Sequence, residues 1–310
     1  MNKIPVWIDT DTGVDDSIAL LTAFTLDNID IKGISAVAGN TTLENAFRNA
    51  RNVAYLGGRQ DIKVYAGADK PFIKELKIAT HAHGENGLGG AIIEDSKAPV
   101  ESQKAWDAMY EEAKKCNGEM VVIAVGPLTN VAYAIAKHPD FLDYVKELNI
   151  MGGAADGGNT TPAAEFNIYT DPHAAETVFK SGVHVNMFGL DVTLKAILTP
   201  EQGDEVKTYG NKATDLFRDS TGLMYSLLEA KIQPGLCMHD CCPVVYMKYP
   251  ELFKGIDCGI YVETQGTITM GKTVTDIWTD YKYEDRHCTA FLDVDTDKFA
   301  RFIMDVYKKY

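Results

Sequence analysis

Four aspartates fall within eight residues near the start of this chain, in Asp9-Thr10-Asp11-Thr12-Gly13-Val14-Asp15-Asp16, and no Lys or Arg occurs between Lys3 and Lys32. Carboxylates crowded on a tight loop repel one another unless opposing charge reaches them. With no basic side chain in the segment, a hard cation is the economical partner, because carboxylate oxygens suit calcium or magnesium. Capping of the following helix by Asp15 and Asp16 accounts for one or two of the acids through the helix dipole, not for four. The EF-hand pattern does not fit, since its central Gly and later Glu are missing at the required offsets.

Two further stretches carry chemistry. Asp156 to Asp171 offers Asn159, Glu165 and Asn167 with no positive charge among them, a set that suits the vicinal hydroxyls of a sugar better than phosphate. It reads equally well as a surface loop that caps the helix after Asp171. Cys237-Met238-His239-Asp240-Cys241-Cys242-Pro243 joins a titratable His to another carboxylate. A thiolate zinc site there lacks a second Cys pair at ligand spacing. A lone His is commonly structural; Asp240 beside it is what links His239 to a metal pocket.

The elements between these stretches predict how they meet. Ile4–Ile8, Ile31–Ala38, Ile62–Tyr65, Met120–Val125, Leu148–Met151 and Val183–Phe188 read as buried strands. Ser17–Phe24, Leu43–Leu56, Trp106–Lys115, Leu128–Lys137, Pro172–Lys180 and Asp297–Lys309 read as helices. Alternation of this kind predicts an α/β fold with an open, mostly parallel sheet flanked by helices. Two β-rich runs around Gly266 and Gly271, within Gly259–Ile277, predict a late antiparallel excursion. No repeat, low-complexity tract or linker divides the chain, so residues 1–310 are expected to form one domain. The acidic loop, Gly39-Asn40, Gly126-Pro127-Leu128-Thr129-Asn130 and Met151-Gly152-Gly153 all follow predicted strands. Ligands of open α/β sheets bind beyond the carboxyl ends of strands, so these loops should converge.

Composition sets limits on partners. The apolar fraction of 45% and charged fraction of 24% are those of an ordinary globular protein. A formal net charge of −14 argues against a polynucleotide partner, which calls for a basic face, and disfavours polyanionic substrates. No segment approaches the roughly 20 apolar residues of a membrane span, and the N-terminus lacks the pattern of a secretory signal. Six scattered cysteines without paired spacing fit a reduced thiol pool, so a cytoplasmic location is expected.

Taken together, these segments resemble the inosine–uridine-preferring nucleoside hydrolase family. The likeness runs in order through the acidic loop, Val37-Ala38-Gly39-Asn40, Gly126-Pro127-Leu128-Thr129-Asn130, Met151-Gly152-Gly153, Asn159, Ala164-Glu165-Phe166-Asn167, Asp171-Pro172 and His239-Asp240. It implies a calcium-dependent N-ribohydrolase that cleaves ribonucleosides into base and ribose, and a homodimer or homotetramer. By this resemblance Asp11, Asp16 and Asp240, with the Val125 carbonyl, would ligate calcium, and Asp11 would be the general base. Asp15, Asn40, Met151, Asn159, Glu165, Phe166 and Asn167 would bind substrate, with His239 facing the base and His83 on a lid over it. The physical chemistry agrees with this assignment. A metal beside Asp11 lowers the cost of making hydroxide, and a carboxylate-rich pocket stabilises an oxocarbenium-like ribose.

Departures from the family pattern leave the base open among purine, pyrimidine and 7-deazapurine. Thr12 replaces a common Pro. Phe217–Met238 lacks the paired Tyr and Gln of pyrimidine-preferring members, and Tyr225 reads as helix packing rather than base stacking. Two rival readings compete with the hydrolase. A haloacid-dehalogenase-like phosphohydrolase shares Asp9-x-Asp11 after a strand, but its later Lys and paired acids find no match. A non-catalytic calcium-dependent nucleoside or ribose sensor would not need Asp11, Asn167 and His239 together.

Overall fold

Strand β1 (Ile4–Thr10) is buried along its inner five residues and lies between two parallel neighbours, which is why it reads as a continuous apolar run rather than an alternating one. The computed structural model describes residues 3–277 and 286–310. Around β1 the chain adds β2 (Ile29–Ala36), β3 (Val64–Ala66), β4 (Met120–Ala124), β5 (Val145–Met151) and β6 (Val185–Phe188), all parallel, in the order β3-β2-β1-β4-β5-β6. This is the doubly wound order, and its switch point lies between β1 and β4. Val6 and Ile8 face one apolar layer with Ile18, Leu21 and Val53. Trp7 faces the other with Met109, Val122 and Val131. Helices therefore cover both faces, and the parallel sheet is flanked as the alternation predicts.

Helix Leu43–Leu56 starts at Thr42, whose side chain accepts from Asn45 N, and stops at Gly57. The first helix begins earlier than expected, at Val14 rather than Ser17, because Asp16 folds back to accept from Gly13 N at 2.8 Å. Asp15 and Asp16 thus sit in its first turn. The other expected helices, found as Ala105–Cys116, Thr129–Lys137, Pro172–Phe179 and Thr296–Tyr307, fall within two residues of expectation at each end.

Beyond β6 the sequence was less legible. A ribbon of β7 (Ile197–Leu198) and β8 (Leu236–Cys237) holds the segment entering His239. The antiparallel excursion is present as β9 (Phe253–Val262) against β10 (Thr273–Asp276), with β9 starting earlier than the Gly259 expected. An unanticipated strand, β11 (Cys288–Val294), runs parallel to β6 and antiparallel to β9, completing a nine-stranded sheet. No helix among the described residues is long and apolar enough to cross a membrane.

Candidate active site

The carboxyl ends of β1, β2 and β4 meet at the switch point, and the first side chain they enclose is Asp11. Its Oδ2 accepts from Asn40 N at 2.6 Å and its Oδ1 from Asn40 Nδ2 at 3.2 Å. The same Nδ2 donates to Asp16 Oδ2 at 3.0 Å, so one amide clamps two carboxylates. Thr10 Oγ1 donates to the other oxygen of Asp16 at 2.5 Å. Glycines make room for this. A Cβ at Gly39 would lie 2.2 Å from Asp11 Oδ2, and one at Gly126 would lie 3.0 Å from Asp11 Cγ.

Asp15 and Asp240 complete the acidic floor. Ligand-capable oxygens of Asp15, Asp16 and Asp240 lie within 4.8 Å of one another, and all three residues are buried, as is Asp11. Burial first, then the charge of Asp16, holds Asp11 well above the usual carboxyl range and pushes Asp15 to about 7. Asp240 is raised by burial and then by Asp15, Asp16 and Asp11. Crowded acids without a countercharge, all offering oxygen, form a donor set for a hard cation. Asp15, expected to touch substrate, is the third member of the close group, and Asp11 is joined to Asp16 through Asn40 Nδ2. No cysteine joins a metal-capable group among the described residues.

One wall comes from β5 and the loop after it. Glu165 caps helix Phe166–Thr170, its Oε1 accepting from Asn167 N and its Oε2 from Ile168 N and Gly153 N at 2.9–3.1 Å. Three backbone donors fix the carboxylate and leave lone-pair capacity for another partner. Asn167 Nδ2 ties the Val125 carbonyl (2.9 Å) to the Met151 carbonyl (3.1 Å), joining the ends of β4 and β5. Asn159 Oδ1 accepts from Phe166 N at 2.9 Å. Asp171 and Glu165 cap helices, as the capping reading of Asp156–Asp171 expects, and Asn159, Glu165, Phe166 and Asn167 line the cavity.

The opposite wall carries two imidazoles. His83 Nδ1 accepts from Val14 N at 3.1 Å, which seats the short helix Thr80–His83 on the acidic loop. Burial lowers its pKa to about 4 against the opposing pull of Asp16. His239 Nδ1 pairs with Thr193 Oγ1 at 2.8 Å, and burial, aided by His83, lowers it to about 4 as well. Asp240, next in sequence, does not hold His239 charged.

These walls enclose a cavity of about 320 Å³, lined by Asp15, Asn40, His83, Val125, Met151, Asn159, Glu165, Phe166, Asn167, His239 and Asp240. Asp11 and Asp16 are not among the lining residues; both bond Asn40, which is. Sequence reasoning missed Met224, Leu227, Ile232, Gln233 and His81, which also line it; polar turns and an apolar helix face give no local signal of a cavity. Tyr225 is absent from the lining and bonds Asp204 at 2.9 Å, as the packing reading expects. No Lys or Arg is among the described lining residues.

Comparison with known proteins agrees with this geometry. The profile of the family described as inosine-uridine preferring nucleoside hydrolase matches residues 6–301. Pyrimidine-specific ribonucleoside hydrolase RihA of Shigella boydii is 38% identical over 99% of both chains, and that of Escherichia coli K12 is 37% identical over the same shares. Among solved structures, the purine-preferring ribonucleoside hydrolase of Gardnerella vaginalis superposes with a TM-score of 0.91 at 30% identity, covering 99% of this chain and 100% of that one. A plant nucleoside hydrolase, PpNRh1, gives 0.92 at 28% identity over 99% of each. This sheet order, this acidic switch point and these relatives place the chain in the inosine-uridine preferring nucleoside hydrolase family, and it is a nucleoside hydrolase.

Proposed function

We propose that this chain hydrolyses the N-glycosidic bond of ribonucleosides, releasing free base and ribose, with calcium held by Asp11, Asp16, Asp240 and the Val125 carbonyl and with Asp11 as general base. The observation that carries this reading is the convergence of four buried carboxylates beneath a cavity whose described lining has no Lys or Arg. The donors are all oxygen, which suits calcium. A bound ion would make water easier to deprotonate.

The chain's own groups account for the rest. Asn40 and the bare faces of Gly39 and Gly126 fix the Asp11 carboxylate in one orientation, the placement a base needs. Asp15, Asn40, Met151, Asn159, Glu165 and Asn167 surround the space for ribose. Their carboxylates and amide oxygens stabilise positive charge that develops as the base departs. His83, Phe166 and His239 face the base. Buried and neutral, His239 assists the leaving base by donating a hydrogen bond from a ring N–H. The RihA relatives support pyrimidine ribonucleosides as substrates. The same proposal includes a homo-oligomer, dimer or tetramer, in the cytoplasm, and light scattering on the purified protein tests its size.

A panel of uridine, cytidine, inosine, adenosine and guanosine, with calcium present, tests the function through released base and reducing sugar. Base release from at least one pyrimidine ribonucleoside is expected. Tight binding without turnover across the panel would replace the hydrolase with a sensor.

A further inference from the structure

The loop after β5 has no regular secondary structure, yet from Gly153 N to Asp156 N each main-chain polar group has a protein partner. Gly153 N donates to Glu165 Oε2 at 2.9 Å, and Gly153 O accepts from Leu190 N at 2.9 Å. Ala154 N donates to Thr273 Oγ1 at 2.8 Å, and the same hydroxyl donates to Ala154 O at 2.7 Å. Two charged side chains take the rest. Asp191 accepts from Ala155 N at 2.7 Å and from Asp156 N at 3.1 Å, one on each carboxylate oxygen. Lys272 Nζ donates to Ala154 O at 3.1 Å and to Ala155 O at 3.0 Å. Loops ordinarily run over the surface and leave such groups to water.

The two charges come from distant parts of the fold. Asp191 lies in the turn Leu190–Thr193 that follows β6. Lys272 immediately precedes β10, which β6, β11 and β9 separate from β5 in the sheet. An anion meets N–H groups and a cation meets carbonyls, so each bond is charge-assisted and stronger than a neutral one. The packing is close as well. Gly153 is left-handed, with φ +78°, and a Cβ there would stand 2.8 Å from Thr273 Cγ2. A Cβ at Gly271 would stand 2.8 Å from Tyr169 Cα, in the helix Phe166–Thr170 that Glu165 caps. The start of β10 is thereby seated on both the loop and that helix. Neither Asp191 nor Lys272 is among the described lining residues of the cavity, so any effect on the reaction passes through the loop they hold.

We propose that Asp191 and Lys272 are positioning residues for the ribose side of the cavity, a two-sided clamp that holds Gly153–Asp156 so that Gly153 N stays on Glu165 and the Met151 end of β5 stays on Asn167. Gly153 N is one of three backbone donors that fix the Glu165 carboxylate, and Met151 O is one of two carbonyls that Asn167 Nδ2 ties together. Release of the loop withdraws the first and loosens the second, and both Glu165 and Asn167 line the cavity. The base-facing side is held separately, since His239 pairs with Thr193 Oγ1. The inference rests on the ribonucleoside hydrolase reading above, and deepens it by assigning what keeps the ribose wall in place.

Asp191→Ala and Lys272→Met, each removing one jaw, test it in the calcium-loaded full chain, with a circular-dichroism melt to show which variants are folded. Inhibition by free ribose and by the free base of the best substrate reads the two sides of the cavity separately. Each folded variant should bind ribose about tenfold more weakly, the scale of one lost charge-assisted bond, while inhibition by the free base stays near the parental value. kcat/KM should fall alike on the natural nucleoside and on p-nitrophenyl riboside, because the two substrates share only the ribose. A role in general stability would instead weaken ribose and base together. Parental ribose inhibition in a folded variant, equal weakening toward ribose and base, or a loss confined to the natural nucleoside would overturn the clamp. Release of no base from any nucleoside by the unaltered enzyme would instead overturn the hydrolase reading itself.

Discussion

Replacing Gly39 by Ala should disable the enzyme by moving one carboxylate. The added Cβ would stand 2.2 Å from Asp11 Oδ2, whereas ordinary contact begins at 3.4 Å, so the carboxylate must retreat by about 1.2 Å. Its freedom is limited, because Asn40 N holds the same oxygen at 2.6 Å and Asn40 Nδ2 holds the other at 3.2 Å. Pro127 Cδ, 2.7 Å from the new methyl, blocks a compensating swing of the backbone. Misplacing a reacting group by about 1 Å costs on the order of 100-fold, or about 2.7 kcal/mol of transition-state stabilisation. The assay is kcat/KM for the best nucleoside, with a circular-dichroism melt to show that the variant is folded. Gly222→Ala, where a Cβ meets nothing within 4 Å, is the matched control and should act as the parent does. A folded Gly39→Ala enzyme with parental kcat/KM would refute the claim that this glycine makes room for a catalytic Asp11.

Asp11→Asn keeps an oxygen and the approximate shape but removes the proton acceptor, so kcat should fall by orders of magnitude while KM moves little; near-parental turnover would point to another base. Chelation should lower the melting temperature, because a ligand at 100 times its dissociation constant contributes about 2.7 kcal/mol to the native state. An unchanged melt and full activity in verified metal-free protein would reject the calcium site. Calcium affinity, followed by calorimetry, should weaken as pH falls, since Asp11 and Asp240 would bind as carboxylates and burial, with the neighbouring acids, raises the proton affinity of both. Affinity independent of pH would contradict the protonated apo cluster. His239→Ala should be severe on a natural nucleoside and mild on p-nitrophenyl riboside, whose leaving group needs no help. Equal losses on both would assign His239 to pocket shape alone.

What the sequence exposed was charge density and strand ends. The acidic loop stood out because four carboxylates without a nearby base are costly anywhere, and the Gly-containing loops after β1, β2, β4 and β5 stood out because parallel strands deliver their carboxyl ends to one edge. Asn40 was legible as a polar residue at one of those ends and Asn167 as one in the Asp156–Asp171 stretch; their work as clamps, one joining Asp11 to Asp16 and the other joining β4 to β5, was not, since it depends on which atoms of distant loops come within hydrogen-bond reach. Asp9 illustrates the same limit. It belongs to the motif, yet it turns beneath the site to accept from Ser35 and from Asn130 Nδ2 at 2.7 Å, and burial pushes its pKa to about 7. Thr193, Ile232 and Gln233 escaped notice because a turn between short helices has no periodicity from which to infer an inward face. β11 escaped because its partner strand β6 lies about a hundred residues earlier and the pairing is not local.

Placement of the acids at the switch point ties stability, metal and substrate together. Asp11, Asp15, Asp16 and Asp240 come from two places more than 200 residues apart in the chain and are buried with their charges unmatched by any side chain in the described cavity lining. Folding alone brings them together at a cost, visible as the raised proton affinity of Asp11, Asp15 and Asp240. A cation turns that cost into binding energy, because each proton it displaces uncovers a ligand already in position. The acidic surround also sorts substrates. A phosphate drawn toward this floor meets like charge and no described Lys or Arg in the lining, while a neutral nucleoside presents only hydroxyls and a flat base. Under the proposed assignment, the field that opposes a nucleotide is the one that would favour a ribose becoming cationic as its base leaves, so discrimination and catalysis would draw on the same four side chains.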